Sequence, residues 1–173
     1  NVRLRAGGSD FFCLWIRAIC NESGQTFGLN SCWKTGRKEK SMSKVFVSFL
    51  GTNDYVPVHY KMPDGNKSKL TAFIQEALTD ALCVDWSDQD KILIFCTGDA
   101  KKLNWDKNPD RKTPRLNEIF SGKNFSHIVE CVDIPEGFSE DEIWRIFNAV
   151  YEKLNDGDEI YFDVTHAFRS IPL

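Results

Sequence analysis

The chain is poor in methionine and histidine and has no paired-cysteine motif, with two Met, three His and six Cys in 173 residues. Cys13, Cys20, Cys32, Cys83, Cys96 and Cys131 contain no C-x-x-C pair, and none has a histidine at the short spacing of zinc sites. No metal centre is expected. Cys83, Cys96 and Cys131 each sit in or beside an apolar segment, where free cysteine packs as a small core residue. Reduced structural thiols of that kind point to a reducing cytoplasm. There is no G-x-G-x-x-G after the first strand, no G-x-x-x-x-G-K-[ST] and no G-x-S-x-G. Nicotinamide-dinucleotide, P-loop and serine-hydrolase chemistry are therefore unsupported. No apolar run approaches the roughly 20 residues of a membrane span; the best candidate, 11–20, carries Arg17.

What is present suffices for a core: the chain is 42% hydrophobic and 13% aromatic, which argues against global disorder. The net charge of −3 hides an asymmetry. Residues 1–41 hold seven Lys or Arg against three acids, and 42–173 hold fifteen against twenty-two. The acidic body excludes a broad basic face, so no direct duplex nucleic-acid binding is expected. A small anion can still be held by a few cations and backbone N–H groups.

Character changes at Met42. Residues 1–41 are broken by glycines and end in a basic cluster (Lys34, Arg37, Lys38, Lys40). They are expected to lie outside the fold, as an upstream extension, with an accessory hairpin as the alternative. From 42 onward, buried strands are predicted at 45–50, 91–97, 127–134 and 159–164, each a β-branched or aromatic run closed by turn residues. The alternation at 55–62 predicts a further strand, on an edge because of Pro57. Leu70, Phe73, Ile74, Ala77, Leu78, Ala81 and Leu82 form a helical stripe, and the polar stretch 100–114 reads as a loop. A short helix is predicted near 115–120. The helix after Ser139 has a capping box with Glu142, a staple of Phe138 on Ile143, and a buried face of Ile143, Ile146, Phe147, Val150 and Leu154. Trp144 is also assigned to the core. Strands alternating with amphipathic helices predict an α/β, Rossmann-like, mostly parallel sheet flanked by helices.

Such a sheet gathers the turns at its strands' carboxyl ends along one edge, where ligands bind. Three turns belong there: Gly51-Thr52-Asn53, Thr97-Gly98-Asp99 and Thr165-His166-Ala167. The last strand ends in DVTHAFRSIPL, a hydroxyl, an imidazole and, one turn on, the guanidinium of Arg169. A guanidinium stays charged and binds phosphate bidentately. Asp163 shares a strand face with Thr165 and is expected to brace the loop. His166 is read as a hydrogen-bonding residue before a general base.

The stretches KVFVSFLGTNDY, VDIPEGFSEDEIWRIF and above all GDEIYFDVTHAFRSIPL resemble the CRISPR-associated Rossmann-fold (CARF) family, over roughly 42–173. The terminal stretch is similar to the D-[IV]-T-H-G-F-R-S-x-P motif that ends the sensor domain of ancillary type III CRISPR proteins. The resemblance implies a cytoplasmic homodimer that binds a cyclic oligoadenylate in a groove across its two-fold axis, with no other cofactor. Carried over by position, Gly51, Thr52 and Asn53 after the first strand and Thr165, His166, Ala167, Phe168 and Arg169 after the last line that groove, with Thr97 and Gly98 as a third element. Ala167 stands where the family has glycine, adding a Cβ where close backbone approach is usual. The effector ribonuclease (HEPN) signature, Arg then His with four to six residues between, does not occur. The expectation is thus a sensor domain truncated at its C-terminus, its effector absent. Slow cleavage of the ligand in the groove stays open, with Thr52 and His166 as catalytic candidates. The rival reading is a stand-alone α/β enzyme acting on a small phosphorylated or nucleotide substrate, with His166 as base; a non-functional gene remnant is a third.

Overall fold

A computed structural model describes residues 3–4, 15–19, 43–62, 65–109, 113–123, 125 and 127–166, with only the backbone of 3–4 and 15–19. Its elements run β1 (Arg3–Leu4), β2 (Trp15–Ile19), β3 (Lys44–Leu50), α1 (Ile74–Leu82), β4 (Lys91–Cys96), α2 (Gly98–Ala100), α3 (Leu116–Ser121), β5 (Ile128–Asp133), α4 (Glu140–Tyr151) and β6 (Glu159–Asp163). They form one sheet in the order β1-β2-β6-β3-β4-β5. The four strands β6, β3, β4 and β5 are all parallel. This is the Rossmann-like α/β fold the sequence predicts. The segment 1–41 was expected outside the fold; of it, β2 pairs antiparallel with β6, Trp15 opposite Asp163, and β1 with β2. The remainder of that segment lies outside the described residues.

Strands covered on both faces need apolar residues at nearly every position, which KVFVSFL and KILIFC supply apart from the leading lysines and Ser48. Side chains alternate between faces. Phe46, Ile92 and Ile94 point to one core with Ile74, Leu78, Leu116 and Phe120. Val45, Val47, Leu93 and Phe95 point to the other, where Ile146 of α4 is seated. Full burial of side chains such as Phe46 and Phe95 contributes about 2–3 kcal/mol each.

Four local expectations need correction. Residues 55–62 form no strand: they make only the single bridges Val58↔Thr71 and Lys61↔Lys67. Pro57 has no N–H to give a ladder, and Val56 and Val58 face outward. The start of the stretch read as a loop is helical, because α2 continues into a π-helical turn, Lys101–Trp105. That turn is anchored by two buried side chains, Asn104 and Trp105, amid polar neighbours that hide the pattern. On α4, Trp144 and Phe147 are 59% and 56% exposed rather than core, meeting each other edge-to-face with Tyr151 exposed nearby in sequence. The α4 cap also differs from the prediction. Ser139 Oγ accepts the Glu142 N–H as expected, but the Glu142 carboxylate accepts from Phe138 N, and Phe138 is 89% exposed, so no staple forms. No helix among the described residues is long and apolar enough to cross a membrane.

Candidate functional site

At the carboxyl ends of β3, β4 and β6 lies a cavity of about 120 Å³. It is lined by Gly51 and Thr52 after β3, Thr97 after β4, Ile134 and Glu136 after β5, and His166 after β6, over a floor of Phe49, Leu50 and Phe95. Four of the sequence-predicted residues, Gly51, Thr52, Thr97 and His166, therefore share one wall. Thr165 and Asn53 stand beside it without lining it, and Gly98 is exposed in α2 with open space around its Cα. Ala167, Phe168 and Arg169 lie outside the described residues.

The loop after β3 is held by hydrogen bonds from behind. Asn104, brought in by the π turn, donates from Nδ2 to the Gly51 and Asn53 carbonyls at 2.8 and 2.9 Å. Its Oδ1 accepts from Arg115 Nη1 at 3.4 Å, and the Arg115 side chain is buried. Gly51 N donates to Tyr55 Oη at 3.1 Å. The phenol comes so close that a Cβ on Gly51 would sit 2.6 Å from Tyr55 Oη. Glycine is needed there for room, not for a left-handed conformation. The Tyr55 ring lies between Phe73 and His166, with centroids at 5.6 and 5.1 Å. Burial pushes its hydroxyl up to about 12, against the Gly51 hydrogen bond, so it stays protonated.

The loop after β6 is fixed by Asp163, which is fully buried. One carboxylate oxygen accepts from Thr165 N (3.0 Å) and Thr165 Oγ1 (2.6 Å), and the other from Ser48 Oγ (2.7 Å). This is the brace the sequence predicts: it ties β6 to β3 and turns the chain so that His166 faces the cavity. Burial lowers the His166 pKa, with the Asp163 charge pulling the other way. The imidazole is thus neutral at pH 7, giving one donor nitrogen and one acceptor. Thr97 Oγ1 is turned inward to cap α2, accepting from Ala100 N at 3.4 Å.

Sequence reasoning missed Tyr55, Asn104, Arg115 and Glu136. Nothing in the local pattern marks them: Asn104 and Arg115 sit in a polar stretch, and Glu136 reads as a turn residue beside Pro135. Among the described residues the cavity lining carries no cation and one carboxylate. It offers hydrogen bonding and an aromatic floor rather than charge. No group of three metal-ligating side chains occurs among the described residues.

The family model for the CARF domain of the CRISPR system endoribonuclease Csx1 matches residues 45–173. The chain belongs to that CARF family. A CARF domain is a Rossmann-like unit, and the four-stranded parallel core at β3–β6 fits it. The chain is also similar to the CRISPR-associated protein MJ1674 of Methanocaldococcus jannaschii, 51% identical over 78 residues. That match covers 43% of this chain and 11% of the relative, so the chain matches only a small part of that protein.

Proposed function

We propose that this CARF domain is the sensor of a type III CRISPR defence protein and binds a cyclic oligoadenylate at the carboxyl edge of its sheet. The observation that carries the reading is the convergence of Gly51, Thr52, Thr97 and His166 on one cavity from three separate strand ends. Each supports the chemistry of a nucleotide ring. Thr52 offers a hydroxyl on a loop that Tyr55 and Asn104 hold in place from behind, and neutral His166 pairs with a base edge or ribose hydroxyl. Glu136, unhelpful to a phosphate, suits an adenine amino group as acceptor. A volume of about 120 Å³ admits one such group, and the rest of the ring lies over the rim. In this reading a second copy of the chain, related by a two-fold axis, presents the same loops to the other half of a symmetric ring. Arg169 supplies phosphate contact, and binding is passed to an effector ribonuclease elsewhere in the full-length protein.

One observation favours a second activity: Thr52 and His166 line the same cavity, and a neutral imidazole there can act as general base for slow cleavage of the bound ring. Calorimetric titration with cyclic tetra-adenylate and cyclic hexa-adenylate tests the main reading. One ring per two chains is expected, with affinity falling at least about tenfold in His166→Ala and in Arg169→Ala. A folded chain that binds neither ring refutes it and favours the stand-alone enzyme. Unchanged ring turnover in both Thr52→Ala and His166→Ala would remove the cleavage reading.

A further inference from the structure

Two cysteines on adjacent strands have their sulfurs in contact: Cys131 Sγ lies 3.1 Å from Cys96 Sγ. In the parallel ladder Cys131 is opposite Ile94, and Cys96 is opposite Asp133. The two thiols thus reach each other diagonally, two residues out of register, from the same face of the sheet. Cys96 is buried and Cys131 half-buried, open enough for a small oxidant. Just past them, the Cys96 carbonyl accepts the Ile134 N–H at 2.9 Å, and Thr97 follows Cys96 in the chain. Thr97 and Ile134 both line the carboxyl-edge cavity.

The geometry points to Cys96 and Cys131 as a reversible dithiol–disulfide pair that sets the shape of the carboxyl edge. A disulfide bond is about 2.05 Å long, so closing the contact draws the two sulfurs about 1 Å nearer. Because the partners are out of register, that movement shears β4 against β5 directly beneath Thr97 and Ile134.

The chemistry assigns the two sulfurs different parts. Cys131 is the more open of the two sulfurs, and its contact with Cys96 and the Lys101 ammonium hold its pKa below the ordinary range. Cys96, buried beneath it, is pushed up by the same contact and by burial. Cys131 is therefore the thiolate that attacks a peroxide, breaking its O–O bond and giving a sulfenic acid and one water. The Cys96 sulfur then displaces the sulfenic oxygen as a second water, having passed on its proton. Overall two thiols and one hydrogen peroxide give one disulfide and two waters, and a dithiol reductant reverses the step. Cys83, the third cysteine whose surroundings are described, is excluded: it is buried, and burial holds its thiol at about 12.

The consequence for ligand affinity rests on the carboxyl-edge reading above; the cross-link does not. The test uses the whole chain, reduced with dithiothreitol or treated with hydrogen peroxide. Disulfides are mapped by mass spectrometry of proteolytic peptides, and each sample is titrated with cyclic tetra-adenylate and cyclic hexa-adenylate. A dominant Cys96–Cys131 peptide pair is expected, reversed by dithiothreitol, with an affinity loss on the order of tenfold in the oxidised form. Cys131→Ser, and Cys131→Ala as a second variant should serine prove poorly tolerated, abolish the cross-link and make affinity insensitive to peroxide. Full alkylation of both thiols after peroxide, or a dominant bridge to another cysteine, overturns the pair. A cross-link that leaves affinity unchanged overturns its coupling to the edge. If the reduced chain binds neither ring, the ligand reading fails while peptide mapping still decides the cross-link.

Discussion

The two ends of the parallel sheet are built to one scheme and finished differently. At the carboxyl end, Asp163 accepts three hydrogen bonds and ties β6 to β3 through Ser48. At the amino end, Asp90 accepts from Lys44 N (2.7 Å), Ser87 N (2.6 Å) and Ser87 Oγ (3.0 Å), tying the start of β4 to the start of β3. Each aspartate also acts on a histidine, Asp163 on His166 and Asp90 on His127. There the likeness stops. His166 faces a cavity among backbone groups and a hydroxyl, whereas His127 stands in the wall of a second cavity, about 170 Å³, packed between Phe125 and Trp86 with both ring nitrogens buried and without a hydrogen-bond partner in the protein. The same pair of residue types serves a hydrogen-bonding edge in one place and wall packing in the other. Surroundings, not residue identity, make the difference.

The sharpest way to break the comparison is to remove each brace. Asp163→Ala removes a fully buried acceptor of three hydrogen bonds, the one from buried Ser48 included, and is expected to cost about 3 kcal/mol, read as a lowered urea midpoint. Asp90→Ala is expected to cost a similar amount, and in the ligand titration only the Asp163 variant should lose more affinity than its stability loss explains. Glycine substitutions give the next largest contrast. Gly51→Ala drives a Cβ against Tyr55 Oη and is expected to cost about 1–2 kcal/mol, while Gly98→Ala, with nothing within 4 Å, is expected to be neutral. His127→Phe removes two unpaired buried nitrogens and keeps an aromatic ring between Phe125 and Trp86. A gain of about 1 kcal/mol in unfolding free energy is expected, with ring binding untouched.

The smallest effect is in pH. Burial lowers the pKa of both histidines, so the unfolded chain takes up protons first as pH falls. Their contribution is fully present above the unfolded value of about 6.5 and is lost as pH drops through the folded values. Asp90 adds a second loss at lower pH. Burial alone would raise its carboxyl, but the Lys44 and Ser87 hydrogen bonds outweigh this and depress it, and that stability goes as pH falls below about 3.9. Urea midpoints between pH 7.5 and 5 should decline in the parent chain and less steeply in His127→Phe. An equal decline in both would assign the whole effect elsewhere.

The parallel core was legible because KVFVSFL and KILIFC lack the alternating polar positions a half-exposed strand would show, and DVTH announced a strand ending at functional groups. α4 was legible as a helix but not in its orientation. Phe147 was placed on the buried face with Ile143 and Ile146, and Trp144 in the core, yet the packed position is Ile146, and periodicity alone cannot tell a core stripe from an exposed aromatic one. The π turn was invisible because its anchors, Asn104 and Trp105, lie among Lys101, Lys102 and Asp106. The same holds for the site: Gly51, Thr52, Thr97 and His166 come straight from strand ends, whereas Asn104 reaches Gly51 across 53 positions of sequence. No window of neighbouring residues contains that pairing.

β6 stands in the middle of the sheet, beside β3, and the bond between Ser48 and Asp163 spans 115 residues of chain. Loop closure over that distance must be met before the central ladder repays it, which slows folding and leaves the edges of β3 unpaired meanwhile. During synthesis β3 emerges long before its partner. Its apolar edge must wait, exposed to mispairing, for about the time taken to translate a further hundred residues. The carboxyl edge, made jointly by the loops after β3 and β6, is consequently among the last parts of the domain to be completed.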